Sequence, residues 1–280
     1  MDNMNKFTRI IAVLTVLLIG ACTTVQTTQS GAVGVERKQR MLLSDKQVEN
    51  MSAQMYAQTL QEADAKDVLN PNSAQTQRIR GIANRLIAQV GIFRPDAKNW
   101  KWEVNVLQND AVNAYAMAGG KIMVYTGLIE KIKATDAELA AVIGHEIAHA
   151  LREHTREQMS EAYATQIGLL GVAAAIGIAT GDANNANTTL GLGSSVAAVA
   201  LTLPHSRRAE TEADQIGLEL MARAGYDPNA AVSLWEKMSK AGGNKPPEFL
   251  STHPADTTRI AEIKRLIPKV MSLYQASTKR

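Results

Sequence analysis

The run from Asp136 to Leu151 contains His145-Glu146-Ile147-Ala148-His149, and it constrains this chain more than any other stretch. The run is apolar and helical in character, and residues four apart on a helix share one face. His145 and His149 can therefore bind one metal ion through their imidazoles. Glu146 follows directly and can reach a water on that metal. H-E-x-x-H is the pattern of a zinc site with glutamate as general base. The competing reading is two core histidines beside a solvated glutamate, and a third ligand has to decide between them.

The chain offers few candidates. Its five histidines are His145, His149, His154, His205 and His253. One class of zinc sites continues as H-E-x-x-H-x-x-G-x-x-H. Here Arg152 stands at the glycine position and Thr155 at the last histidine position, so His154 misses by one residue. The other common arrangement takes its third ligand from a glutamate on a later helix. Glu210-Thr211-Glu212-Ala213-Asp214 fits it. Glu210 and Asp214 share a helix face, so Glu210 can bind the metal while Asp214 hydrogen-bonds a ligand histidine. Glu212 points elsewhere, about 200° around the helix from Glu210. An acidic solvated face is the plain alternative for such a run.

Several further motifs occur in a fixed order. They are Asn113-Ala114-Tyr115-Ala116 with Gly119-Gly120, Val124-Tyr125-Thr126-Gly127-Leu128, Ser206-Arg207-x-x-Glu210-x-Glu212-Ala213-Asp214, and His253-Pro254 with Arg259. With H-E-x-x-H they resemble the zinc peptidases that include HtpX, Oma and the CAAX prenyl proteases, metallopeptidase family forty-eight. The resemblance covers roughly Val48 to Ile267, and the layout is similar to LoiP- and YcaL-like bacterial lipoprotein proteases. It implies one zinc ion per chain held by His145, His149 and Glu210, with Glu146 as catalytic base. It also implies a zincin-like (gluzincin) domain.

Composition agrees with an enzyme. A chain of 280 residues allows one large domain or two small ones, and 45% hydrophobic residues is ordinary for a globular fold. Net charge is +3 with scattered basic residues, which argues against a nucleic-acid partner.

The N-terminus reads as targeting sequence. Lys6 and Arg9 precede an apolar run, Ile10 to Ile19, that is too short to span a bilayer. Ile19-Gly20-Ala21-Cys22 then resembles a lipobox, in which the chain is cut before the cysteine and the cysteine is acylated. Cys22 is the only cysteine, so no intramolecular disulfide is possible. Residues 1–21 are thus expected to be a signal peptide and Cys22 a lipid anchor in the bilayer. The Thr/Gln/Ser/Gly-rich stretch that follows, within 22–43, reads as a flexible tether. Thr23 after the cysteine points to the outer membrane, facing the periplasm, if the host is Gram-negative.

The peptidase domain is expected over 44–280. Ser44 or Asp45 can cap a helix running through Glu62, and a second helix is expected over Thr76 to Val90. Trp100 to Leu107 and Lys121 to Tyr125 read as strands. These pieces predict an α+β fold, mostly helical, with a small antiparallel sheet beside the H-E-x-x-H helix. Residues 167–203 form an apolar Gly/Ala-rich insert with a polar centre. The favoured reading is two small-residue helices packed on the domain; the alternatives are a membrane hairpin, a flap, or a surface that meets a membrane or partner.

Asn113, Ala114 and Tyr115 are expected to line an edge strand that pairs with an extended substrate. His253, read in the loop after Phe249, is a candidate for the cleft, either stabilising an oxyanion or occupying the open zinc position. Arg259 can pair with a carboxylate or hold that loop. His205 is expected to be structural and His154 exposed. The expected activity is endopeptidase cleavage of unfolded or misassembled envelope proteins. The alternative is a chaperone-like factor that serves outer-membrane assembly machinery with little proteolysis; the intact Glu146 argues against it.

Overall fold

A computed structural model describes residues 23–180, 204–241, 247–253 and 257–279. Cys22, residues 1–21, the second half of the 167–203 insert and Pro254 lie outside the described residues.

The central element is helix Asp136–Leu151, here α4. Thr135 caps it: its hydroxyl accepts from Glu138 N–H while the Glu138 carboxylate accepts from Thr135 N–H. Almost every residue of this helix is buried, which is why its apolar residues run nearly all round it. Helices Asp45–Asp64 (α1), Ser73–Ile87 (α2) and the short Thr126–Glu130 (α3) precede it, and His154–Thr180 (α5) follows. Arg207–Arg223 (α6) packs along α4, and Asn229–Ala241 (α7), Glu248–Thr252 (α8) and Thr257–Ser277 (α9) complete the helical body. No helix among the described residues is long and apolar enough to cross a membrane.

A three-stranded sheet lies beside α4. Its strands are Glu103–Leu107 (β3), Ala114–Met117 (β4) and Lys121–Tyr125 (β5), in the order β3-β5-β4. The sheet is mixed and not antiparallel throughout as expected: β4 and β5 pair antiparallel, but the two strands read from the sequence, β3 and β5, pair in parallel, because β4 lies between them in the chain and reverses direction. β4 is an edge strand and packs against α4. In an antiparallel pair, alternate N–H groups point away from the partner. The N–H groups of Ala114 and Ala116 therefore share one edge.

α4 and α6 meet at glycines. A Cβ on Gly217 would lie 2.8 Å from the backbone N of His145 and 2.9 Å from the carbonyl carbon of Gly144. Only hydrogen fits at that crossing. It brings the first two turns of α6, with Glu210 and Asp214, against the histidines of α4.

The stretch read as a flexible tether is folded from Thr23 onward. Thr23–Val25 (β1) pairs antiparallel with Gln39–Met41 (β2), and Val33 and Val35 are buried in the main core. Its polar composition misled because the polar groups have buried partners. Thr27 and Gln39 donate to the Arg152 carbonyl, and Val33 N–H donates to Glu219. Gly31 sits at the turn with φ +60°, where an added Cβ would meet the Phe93 ring and no side chain fits.

Candidate active site

Four buried side chains converge at the α4–α6 crossing. His145 and His149 come from α4, Glu210 from the first turn of α6, and His253 from the end of α8. One ligand atom from each lies within 4.8 Å of the other three. The Nε2 atoms of His145 and His149 are 2.9 Å apart. Glu210 Oε2 is 3.5 Å from His145 Nε2, and Glu210 Oε1 is 3.4 Å from His149 Nε2. Ser206 caps α6 through Ala209 N–H, so the Glu210 carboxylate also sits at the positive end of a helix dipole.

The donor set fits a divalent cation. Glu146 Oε1, Glu210 Oε1 and His253 Nε2 are buried and have no hydrogen-bond partner among the described residues. Such atoms are costly unless something compensates them. Imidazole nitrogens and a carboxylate oxygen in a tetrahedral-sized cluster are what zinc takes. The electrostatics agree. Burial pulls the His145 imidazolium down, but Asp214 and Glu210 outweigh it and raise its pKa to about 9, so the site favours positive charge. Burial, with the neighbouring His145, lowers His149 to about 3, which leaves a neutral imidazole available as a ligand. Burial likewise holds His253 well below the usual histidine range.

Each functional group is fixed from behind. Asp214 Oδ1 lies 3.0 Å from His145 Nδ1. Arg259 donates to both Asp214 oxygens at 2.5 and 2.8 Å, places Nη1 2.7 Å from Glu210 Oε2, and lies 3.8 Å above the Trp235 ring. Glu146 Oε2 accepts from Ala116 N–H of β4 at 3.1 Å, while its other oxygen is 3.4 Å from His253 Nε2. Burial pushes the Glu146 carboxyl up to about 8.

His253, read as a loop residue, closes α8 and is 4% exposed. Its ring stacks on Phe249 at 4.3 Å, and its N–H donates to the Phe249 carbonyl. α8 is tied to the sheet side by Phe249 N–H donating to Val112 O, and Asn113 Nδ2 donates to Glu248. Asn113 therefore precedes β4 and supports α8, while Ala114 and Tyr115 lie within the strand. A cleft of about 640 Å³ runs along β4, lined by Met55, Thr59, Tyr115, Tyr125, Glu146 and His253 among others.

Two further histidines reach the site, His154 against expectation. His154 is buried, with Nδ1 2.9 Å from His149 Nδ1. The chain turns at Arg152 and Glu153 between α4 and α5, which carries His154 back toward the site instead of outward. His205 stacks on His149 at 4.2 Å and lines the cleft. Neither position carried a spacing signal, because each depends on a turn or on residues distant in sequence.

This fold and this donor set fit the zinc metallopeptidase class. The family model described as Peptidase family M48 matches residues 73–267, and the chain belongs to that family. It is 33% identical to "Metalloprotease LoiP" of Escherichia coli over 82% of this chain and 84% of that protein. It is 35% identical to "Mitochondrial metalloendopeptidase OMA1" of Schizosaccharomyces pombe over 72% of this chain, but only 56% of that protein. With the "Beta-barrel assembly-enhancing protease" of Yersinia pestis it shares 30% identity over 68% of this chain and 38% of that protein. The chain thus spans little more than half of the fission-yeast relative.

Proposed function

We propose that this protein is a zinc endopeptidase that cleaves extended segments of unfolded or misassembled cell-envelope proteins. One observation carries the reading: the cluster of His145, His149 and Glu210 lies beside β4, an edge strand whose Ala116 N–H holds the carboxylate of Glu146. A substrate strand added to β4 brings its backbone past Glu146 in a fixed register. His145, His149 and Glu210 would hold the zinc. When bound, the metal supplies Lewis acidity, polarising the scissile carbonyl and lowering the pKa of water to about 7. Glu146 takes the proton from the attacking water and delivers it to the leaving amine. Its Oε1, unencumbered by hydrogen bonds, is the oxygen that does so. Asp214 keeps the His145 proton on Nδ1, so that Nε2 faces the site.

The lipobox-like Ile19-Gly20-Ala21-Cys22 supports attachment to a membrane through acylated Cys22, and Thr23 supports the outer membrane, periplasmic side. The name of the Yersinia pestis relative, a β-barrel assembly-enhancing protease, supports a role near β-barrel assembly. Two experiments test the proposal. Proteomics of cleaved envelope proteins should show neo-termini in cells with the wild type that vanish with Glu146→Gln. Fractionation of Cys22→Ser should find the chain released from membranes or unprocessed. If Glu146→Gln leaves the pattern of termini unchanged while client binding persists, the chaperone-like reading replaces this one.

A further inference from the structure

One buried polar cluster has no part in the mechanism above. His154 Nδ1 lies 2.9 Å from His149 Nδ1, and His154 Nε2 lies 3.1 Å from Glu212 Oε2. Arg152, fully buried, donates Nε and Nη2 to that same oxygen at 2.9 and 2.8 Å. Arg37, on the N-terminal arm, donates Nε to the other Glu212 oxygen at 2.5 Å and grips Glu157 with both terminal nitrogens. Arg152 also binds the Thr27 and Thr28 hydroxyls and the Arg37 carbonyl. The chain of contacts therefore runs from the His149 ring to the β1–β2 arm.

With His154 neutral, as its burial dictates, one proton arrangement satisfies it. Glu212, held by two guanidinium groups, is an acceptor, so His154 must carry its proton on Nε2. His154 Nδ1 is then an acceptor, and His149 must carry its proton on Nδ1. That tautomer leaves the His149 Nε2 lone pair pointing into the metal cluster. The opposite arrangement would set two acceptors against each other at the His154–Glu212 contact.

We propose that His154 and Glu212 are positioning residues that fix the tautomer and ring orientation of His149, with Arg152 and the arm residue Arg37 holding Glu212 in place. The inference rests on the zinc-peptidase reading of the site. It gives each acid of Glu210-x-Glu212-x-Asp214 a use: Glu210 faces the metal, Asp214 orients His145 directly, and Glu212 orients His149 through His154. It also makes the N-terminal arm part of the active site.

The test is zinc affinity of the full chain by chelator competition. His154→Phe and Glu212→Gln should each weaken binding by about 10- to 100-fold, the usual cost of a lost outer partner, and Arg37→Met should weaken it less. Cobalt-loaded His154→Phe should also show a shifted absorption band. Wild-type affinity in folded His154→Phe and Glu212→Gln overturns the relay, whereas absence of zinc binding by the wild type overturns the underlying site. Should the variants not fold, nitrogen-15 spectra of the zinc-loaded wild type decide. His149 protonated at Nδ1 with His154 protonated at Nε2 supports the relay, and His154 protonated at Nδ1 overturns it.

Discussion

Gly217 of α6 lies so close to His145 of α4 that an added Cβ would stand 2.8 Å from the His145 backbone nitrogen. The acidic ligand reaches the histidines because the two helices touch backbone to backbone. Alanine is favoured over glycine inside a helix by up to about 1 kcal/mol. Overpacking at a rigid backbone contact costs about 1–3 kcal/mol. The second effect wins, so Gly217→Ala should lower stability in urea unfolding and weaken zinc binding by pushing Glu210 outward. A more stable Gly217→Ala protein with intact metal would show that the crossing relaxes freely.

Elemental analysis should find one zinc per chain. Glu210→Ala and His149→Ala should lose most of it, because each removes a side chain of the four-residue cluster. Glu146→Gln should keep the zinc and lose turnover by about 10²–10⁴-fold, the range for a general acid–base group. Full zinc in Glu210→Ala would move the third ligand elsewhere.

His253 offers a second kinetic test. Its neutral ring is buried, its Nε2 lacks a hydrogen bond, and it is one of the four clustered ligands. It can therefore compete with water for zinc's fourth position. His253→Ala should raise peptidase turnover. A fall of about 10²–10³-fold would instead assign the ring to oxyanion stabilisation, and unchanged kinetics on peptide and protein substrates would make it purely structural.

Glu138 predicts a pH effect on stability remote from the metal. Burial acts to raise its pKa, but Lys237, the Thr135 N–H and Ser233 outweigh burial and hold it below the ordinary carboxylate value of 4.5. Folding therefore gains from the charged form. That gain is complete above pH 4.5 and is lost as pH falls through the folded-state value. Glu138→Gln should cost about 1–3 kcal/mol at neutral pH, with the gap to wild type closing in acid. A gap independent of pH would mean the charge is not what matters.

The sequence by itself determined the chemistry that depends on short spacing. H-E-x-x-H on a helix puts His145 and His149 on one face, and a four-residue step gives Glu210 and Asp214 their shared face, so these residues were legible before any fold. The helix cap at Ser44 and the strands over 103–107 and 121–125 were legible for the same reason, since capping and alternation are local. Only the tertiary structure decided what depends on approach between distant segments. The glycine crossing of α4 and α6 sets the distance from ligand to ligand. The turn after Leu151 directs His154 inward, and His205 reaches His149 from a separate part of the chain. The arm from Thr23 to Leu43 had the composition of a tether, yet Arg37 and Gln39 find buried partners in Glu212, Glu157 and the Arg152 carbonyl. A polar residue's fate follows from whether its partner is present, and those partners lie more than a hundred residues away.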